Sequence, residues 1–497
     1  MKFKDYNQKQ PWLIPPNIED EIPKGDICRV IDEAVEAINL DCIESKFKEE
    51  GNPAYHPRMM LKIILYSYAK GLYSSRKMAQ ELESNIFYWY LSGRQKPDFR
   101  TICLFRARQA SELKEVFREV VRLCLKLGVA KLLTVAIDGT KIKANASKDK
   151  LRSRAWIETR LKEESQAIDQ ALEKARLTDE EEDRLYGADQ RGDELPEELR
   201  DPVKRQEKLR RIKEEMDREG KEIINETDHD AKLMKSPGGF QLGYNCQAVA
   251  DGESQVILAV NVCTEGHDQH QLKGNLEEVK AAYGNKPQTL LADAGYFSGD
   301  NLQYLKTENI YGLIPNRSTR NIALGADTTL PDRLRFKKEQ FQYVEDKDVY
   351  LCPEGKELIK LGLTNEIFVR QSGATIGAAR YQCHDCAICG FRPVCCRGKG
   401  RRSLRRYDDE ALRQEMIGRL KSQEGSALYR QRFKTSEPIF GNIKHNLGFR
   451  KFSLRGLIKT RGEFFLITMV HNLKKIQTYL RLTNGGAMDL LLAGQGV

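Results

Sequence analysis

The chain has 497 residues, 40% of them hydrophobic and 31% charged, a composition that fits several compact units better than one simple core. No apolar run reaches the roughly 18 residues of a membrane span, and the start MKFKDYNQKQ lacks the apolar core of a signal peptide, so the expected compartment is the cytoplasm with no membrane contact. The formal net charge of +10 is concentrated: Arg397 to Arg461 carries about 18 Lys/Arg against about 6 Asp/Glu, a stretch suited to neutralising a polyphosphate backbone or to forming a solvated basic surface.

Residues 1–130 read as a helical domain. PRMMLKIILYSYAKG repeats its apolar residues with helical spacing and stops at Gly71; Ser74 or Ser75 caps a second helix, SRKMAQELES, and Asn85 a third around FYWYL. After the turn GRQKPDF, one longer helix is expected to carry Ile102, Phe105, Leu113, Val116, Phe117, Val120, Val121 and Cys124. The helices have helix-turn-helix spacing, which DNA-binding domains share with many other proteins.

KLLTVAIDG, within 131–149, reads as a buried strand ending on Asp138 and Gly139. Residues 150–222 are charge-dense and helical, with Ile157, Leu161, Ile168 and Leu172 on one stripe and Leu209, Ile212 and Met216 on another. Gly187, Gly192 and Pro196 lie between, so the expectation is an inserted antiparallel helical hairpin. From 223 to 316 strands resume: GYNCQAVAD and SQVILAVNVCT form a hairpin, a helix capped by Asp268 follows, then QTLLAD ending on Asp293, a helix from Ser298, and YGLIP. An antiparallel pair feeding a parallel α/β sheet is the layout of a ribonuclease-H-like core. Residues 317–408 become short strands and turns ending in cysteines, 409–480 are closing helices, and 481–497 form a tail.

Asp138 and Asp293 stand at strand ends, where open α/β sheets build sites, and each precedes small residues that let a ligand approach. Neighbouring carboxylates repel one another; Mg²⁺ or Mn²⁺ relieves this, and a third carboxylate allows two ions about 4 Å apart. A lone Glu437 lies downstream in the most basic stretch, where its partners are metals or the cations of Arg432 and Lys434. His267 and His270 are explained by a helix start at Asp268 as well as by metal or general-base chemistry.

Cys383, Cys386, Cys389 and Cys395 form C-x2-C-x2-C-x5-C, with Cys396 adjacent and Cys352 in a CPEG turn upstream. Two-residue gaps let thiolates converge on one tetrahedral zinc; free thiols and disulfides are the alternatives, and six candidates leave four ligand positions unassigned. Thiolates are poor Mg²⁺ ligands, so this zinc would be structural and separate from the carboxylates.

The chain resembles the insertion-sequence transposases of the DDE superfamily, in particular the group with a helical N-terminal domain and a cysteine-rich insertion. The resemblance lies in HPRMMLKIILYSYAKGLYSSRKMAQELESN with PDFRTICLFR, then TVAIDGTKIKANAS, TDHDAKLMKSPGGFQLGYNCQ, LLADAGYFSGDNL, YRQRFKTSEPIFGNIKH and FFLITMVHNLKKI. It implies a metal-binding triad of Asp138, Asp293 and Glu437, and it matches Tyr429, Arg432 and Lys444 to a Tyr, Arg and Lys signature that holds DNA phosphate in relatives. Arg432 stands one residue farther from Glu437 than in the common form, about 100° on a continuous helix. Pro438 predicts a kink at Glu437 or a new helix starting there; in the second case only Lys444 keeps a helical relation to Glu437. The resemblance further implies cleavage at terminal inverted repeats, transfer of the 3′ hydroxyl into target DNA, a homodimer and a nucleoid-associated location. A DNA-binding regulator without catalysis and a nuclease that cuts without joining are the alternatives.

Overall fold

The computed structural model describes residues 17–47, 53–186, 197–236, 238–316, 336, 338–361, 366–369, 375–396 and 400–483. Among them no helix is long and apolar enough to cross a membrane.

Helix starts in the N-terminal region follow their capping chemistry. Asp26 accepts from the Cys28 amide at 2.8 Å and opens Ile27–Ala37, a helix the apolar pattern reading did not include. His56 Nδ1 accepts from the Arg58 amide at 3.2 Å ahead of Pro57–Ala69, and Asn85 accepts from the Phe87 amide at 3.0 Å ahead of Ile86–Ser92. The Pro57–Ala69 helix is followed by Gly71 with φ of +74°. Where one long helix was expected, there are two, Phe99–Arg108 and Leu113–Lys126. The break presses Ala110 onto the closing helix Leu457–Leu482 at Gly462, where an added Cβ would lie 2.8 Å from the Ala110 Cα. A tertiary contact, invisible to local periodicity, thus decides the break.

The central sheet contains β1 (Thr134–Lys143), β4 (Lys232–Ser236), β5 (Gly239–Asp251), β6 (Ile257–Cys263), β7 (Thr289–Ala292) and β8 (Tyr311–Leu313). Its order is β4-β5-β1-β7-β8, with β6 also on β5. β1 pairs antiparallel with β5 and parallel with β7, and β7 pairs parallel with β8. β1 does not end at Asp138. It continues to Lys143 along β5, and only its parallel pairing stops at Ile137.

Between β1 and β4, the short pair β2 (Leu151–Ser153) and β3 (Ile223–Asn225) forms the base of two helices, Arg154–Tyr186 and Glu197–Glu219. Ion pairs Arg154–Asp217, Lys213–Glu158 and Arg205–Glu164 run antiparallel along them, over a small core of Ile157, Leu161, Leu209, Ile212, Met216 and Ile224. Leu172, expected on the buried stripe, is 47% exposed, and Gly187, Gly192 and Pro196 lie outside the described residues.

A second sheet follows, ordered β12 (Glu366–Val369), β13 (Thr375–Cys383), β11 (Glu357–Lys360), β10 (Val349–Leu351), β9 (Gln342–Val344), with β14 (Ser403–Tyr407) also on β13. The chain then closes with helices Glu410–Lys421, Gln423–Gly441 and Leu457–Leu482. One apolar cluster runs through the N-terminal helices, the central sheet and the Leu457–Leu482 helix. The tail beyond residue 483 lies outside the described residues.

Candidate active site

The register of β1 and β7 puts two carboxylates side by side. Ile137 faces Ala292, so the next residue on each strand, Asp138 and Asp293, leaves the parallel pairing at the same level. Successive strand residues face opposite sides of a sheet. Asp138 turns toward the Gln423–Gly441 helix, where its Oδ2 lies 3.0 Å from Arg432 Nη2, while its Oδ1 accepts from the Gly139 amide at 2.9 Å. Burial raises the Asp138 carboxyl above its ordinary value; Arg432 opposes this and the charge of Asp293 adds to it. Burial likewise works against the charge on Arg432, but Asp138, Tyr429 and Asp293 outweigh it and hold the guanidinium above its usual value. The Arg432 Nε is buried without a hydrogen-bond partner among the described residues.

Asp293 Oδ1 accepts from the Gly295 amide at 2.8 Å and opens a short turn, Ala294–Tyr296. Tyr296 is fully buried; burial first, then Asp268, Asp138 and Asp293, raise its hydroxyl well above the usual value. On the face of the sheet opposite Asp138, Gly139 and Lys141 pair with Gln247 and Asn245 of β5. There Asp268 Oδ1 accepts from Asn245 Nδ2 at 2.8 Å and Gln247 Nε2 at 2.7 Å. Asp268 is therefore not a helix cap. The helix starts later, at Leu272, with Gln271 before it, because the Asp268 carboxylate is already engaged by β5. His267, Asp268, Gly295, Phe297, Tyr407 and Arg413 border an open cleft of about 690 Å³. His270 is exposed, 3.6 Å from Glu265.

The Gln423–Gly441 helix runs through Pro438 without restarting. Pro438 has no N–H for the Lys434 carbonyl four residues back, and Gln255 Nε2 donates to that oxygen at 2.7 Å instead. The buried face of the helix presents Tyr429, Arg432 and Ser436, and the Ser436 hydroxyl donates to the Arg432 carbonyl at 3.1 Å. Glu437, about 100° farther round, is exposed and has no hydrogen-bond or ion-pair partner among the described residues. Tyr429 is packed edge-on against Phe433. A π-turn, Asn442–Asn446, follows and swings Lys444 onto β1, where its Nζ donates to Thr140 Oγ1 and, at 3.1 Å, to the Lys141 carbonyl. Burial lowers the Lys444 ammonium below its usual value, and Lys141 adds to this against the opposing effect of Cys246.

Asp138 and Asp293 thus sit together with Arg432, while Glu437 faces solvent. Hard carboxylate oxygens where the parallel pairing of β1 and β7 stops, with a buried cation already drawn to Asp138, suit Mg²⁺ or Mn²⁺. No three His, Cys, Asp or Glu side chains among the described residues stand at metal-ligand geometry as they are.

The cysteines occupy the second sheet. Cys352, Cys383, Cys386, Cys389, Cys395 and Cys396 line one pocket of about 20 Å³, room for a single atom. Backbone amides point at two sulfurs, Lys356 N to Cys352 Sγ and Arg402 N to Cys386 Sγ, both at 3.3 Å. Burial raises the Cys383 and Cys396 thiols to about 11, with neighbouring Cys386 adding to both.

Two families match the chain. A transposase DDE domain matches over residues 351–477, which hold the cysteine pocket, Tyr429, Arg432, Glu437 and Lys444, and a transposase domain (DUF772) matches over residues 16–108, the N-terminal helices. Neither match includes Asp138 or Asp293. No curated protein and no solved structure matches. With one transposase domain matching its N-terminal helices and another its closing region, the two matches together indicate a DDE-family insertion-sequence transposase.

Proposed function

We propose that this transposase cuts phosphodiester bonds at transposon ends and joins the freed 3′ hydroxyl to target DNA, with Asp138, Asp293 and Glu437 as its metal-binding carboxylates. The observation that carries this is the level placement of Asp138 and Asp293 on adjacent parallel strands beside the buried Arg432. Divalent cations held there would activate the attacking oxygen and stabilise the leaving one. The chain's own residues supply the rest: Arg432, with its unpaired Nε, offers a charged donor to a phosphate oxygen, and Lys444 steadies β1 just beyond Asp138. Glu437 would join the pair by a turn of about one helical residue, close to the Asn442–Asn446 π-turn, a kind of element common at functional sites.

The central sheet is the core of a ribonuclease-H-like unit, with the 150–222 hairpin and the 317–408 sheet as insertions. The 1–130 helices bind the terminal inverted repeats, the 409–480 helices complete the core, and two chains pair to bring two ends together, with the helical hairpin as the pairing element. The cysteine pocket holds a structural zinc.

The test is cutting of a labelled transposon-end duplex in Mg²⁺ or Mn²⁺. Asp138→Asn, Asp293→Asn and Glu437→Gln are each expected to lower cutting by about 10²–10³-fold, as removal of a central electrostatic group does. Cutting that stays within about tenfold of wild type in any of them removes that residue from the site. Cutting without strand transfer would identify a nuclease.

A further inference from the structure

We propose that Asp268 is a positioning residue of this centre, acting through Gln247 and Tyr296 on the turn that carries Asp293. The inference rests on Asp138 and Asp293 being the cation-binding carboxylates.

A carboxylate only accepts hydrogen bonds, so Asp268 Oδ1 can be satisfied by Gln247 only through the amide nitrogen, at 2.7 Å. That choice turns Gln247 Oε1 toward Tyr296, whose hydroxyl donates to it. Gln247, Asn245 and Tyr296 are all fully buried, so an amide flipped the other way would leave polar atoms unpaired where water cannot replace the lost bonds. Tyr296 closes the Ala294–Tyr296 turn that Asp293 opens. Asn301 ties the same two segments together, since its Nδ2 donates to the Tyr296 carbonyl at 2.7 Å and the Gln269 carbonyl at 2.8 Å.

Space around the relay is limited. A Cβ at Gly139 would lie 2.8 Å from Asp268 Oδ1, and one at Gly295 would lie 2.9 Å from Asp293 Oδ1 and 3.5 Å from Asp268 Oδ2. At Gly139 a side chain would therefore press on Gln247 and Asp268, and at Gly295 on the Asp293 carboxylate itself. Lys141 Nζ lies 3.9 Å from Asp268 Oδ2.

The relay is tested on the full chain by Mn²⁺ titration without DNA, read by electron paramagnetic resonance, together with the Mg²⁺ dependence of end cutting. Asp268→Ala is expected to weaken Mn²⁺ binding about tenfold and raise the Mg²⁺ needed for half-maximal cutting, the scale typical of groups that orient metal ligands. Asp268→Asn keeps an acceptor oxygen and should stay within about threefold of wild type, while Tyr296→Phe should shift both readouts as Asp268→Ala does. The double variant Asp268→Ala/Tyr296→Phe should bind no worse than the weaker single, because both changes break one path. Should Asp268→Ala not fold, Tyr296→Phe and Asp268→Asn carry the test.

Mn²⁺ binding within about twofold of wild type in Asp268→Ala and Tyr296→Phe, while Asp138→Asn and Asp293→Asn lose it, overturns the relay and leaves the active-site assignment standing. An Asp268→Asn loss as large as that of Asp268→Ala also overturns the relay, since the charge itself would then be what the cation feels. Unchanged binding in Asp138→Asn and Asp293→Asn sinks the assignment, and this inference with it.

Discussion

Arg106 is almost completely buried, and its guanidinium meets Glu463 at 3.1 Å, the Tyr68 hydroxyl at 2.8 Å and the Tyr73 carbonyl at 2.9 Å. Glu463 is fully buried and also accepts from the Ser453 and Leu454 amides at 2.9 and 3.0 Å. Removing one partner of such a pair leaves an uncompensated buried charge, so Arg106→Met should cost about 3–5 kcal/mol, read by denaturant unfolding. A loss under about 1 kcal/mol would show that the amides alone neutralise Glu463. At this scale Asp293 was legible as a strand-end acid and Asp138 as an acid on a strand, because a short β-branched run reaching an Asp and a small residue is a local pattern, but β1 does not stop there. Asp268 was not. Its acid sits where a helix cap would, and only the β5 side chains Asn245 and Gln247, more than twenty residues earlier, reveal its work. Glu437 was legible as a residue but not in its direction, which depends on how the helix is docked against Asp138.

Among the elements, the second sheet depends most on something besides apolar burial. Its core cluster is small and draws on Cys383, Cys386 and Cys395 alongside Phe341, Tyr350, Leu358, Tyr381 and Leu404. A metal that binds only the folded sheet adds its binding energy to folding. Purified protein should therefore hold about one zinc per chain by elemental analysis, the stoichiometry of a four-ligand structural site. Cys386→Ser should lose it and make the sheet sensitive to protease, because Cys386 neighbours both Cys383 and Cys396 and receives the Arg402 amide. Zinc-free protein with an equally resistant sheet would leave these as free thiols. The cysteine spacing marked this element in advance. The split between Phe99–Arg108 and Leu113–Lys126 could not be marked, since the close approach at Gly462 comes from a helix more than three hundred residues later.

Across the whole molecule, the Leu457–Leu482 helix threads between the N-terminal helices and the central sheet, and His471 lies at its center, fully buried. Burial lowers its pKa to about 4, and its ring nitrogens meet the Gln255 carbonyl at 2.9 Å and Asn442 Nδ2 at 3.1 Å. The native ring is thus neutral, while the unfolded chain's histidine takes a proton below about 6.5. Between those two values the unfolded state binds more protons, so stability falls as pH drops, by about 3 kcal/mol from this residue. His471→Gln should flatten that part of the stability-versus-pH curve relative to wild type, measured by chemical unfolding. Parallel curves would mean that His471 takes its proton without unfolding. The sequence by itself determined the helical, sheet and cysteine-rich regions in their order, with one acid on β1 and another just after β7, because those follow from local periodicity and capping. Only the tertiary structure decided that β1 runs past Asp138, that Asp268 joins β5 in place of capping a helix, and that Arg432 and Ser436 face Asp138 while Glu437 does not. Each of these depends on contacts between segments far apart in the chain, where packing and buried hydrogen bonds outweigh local preference.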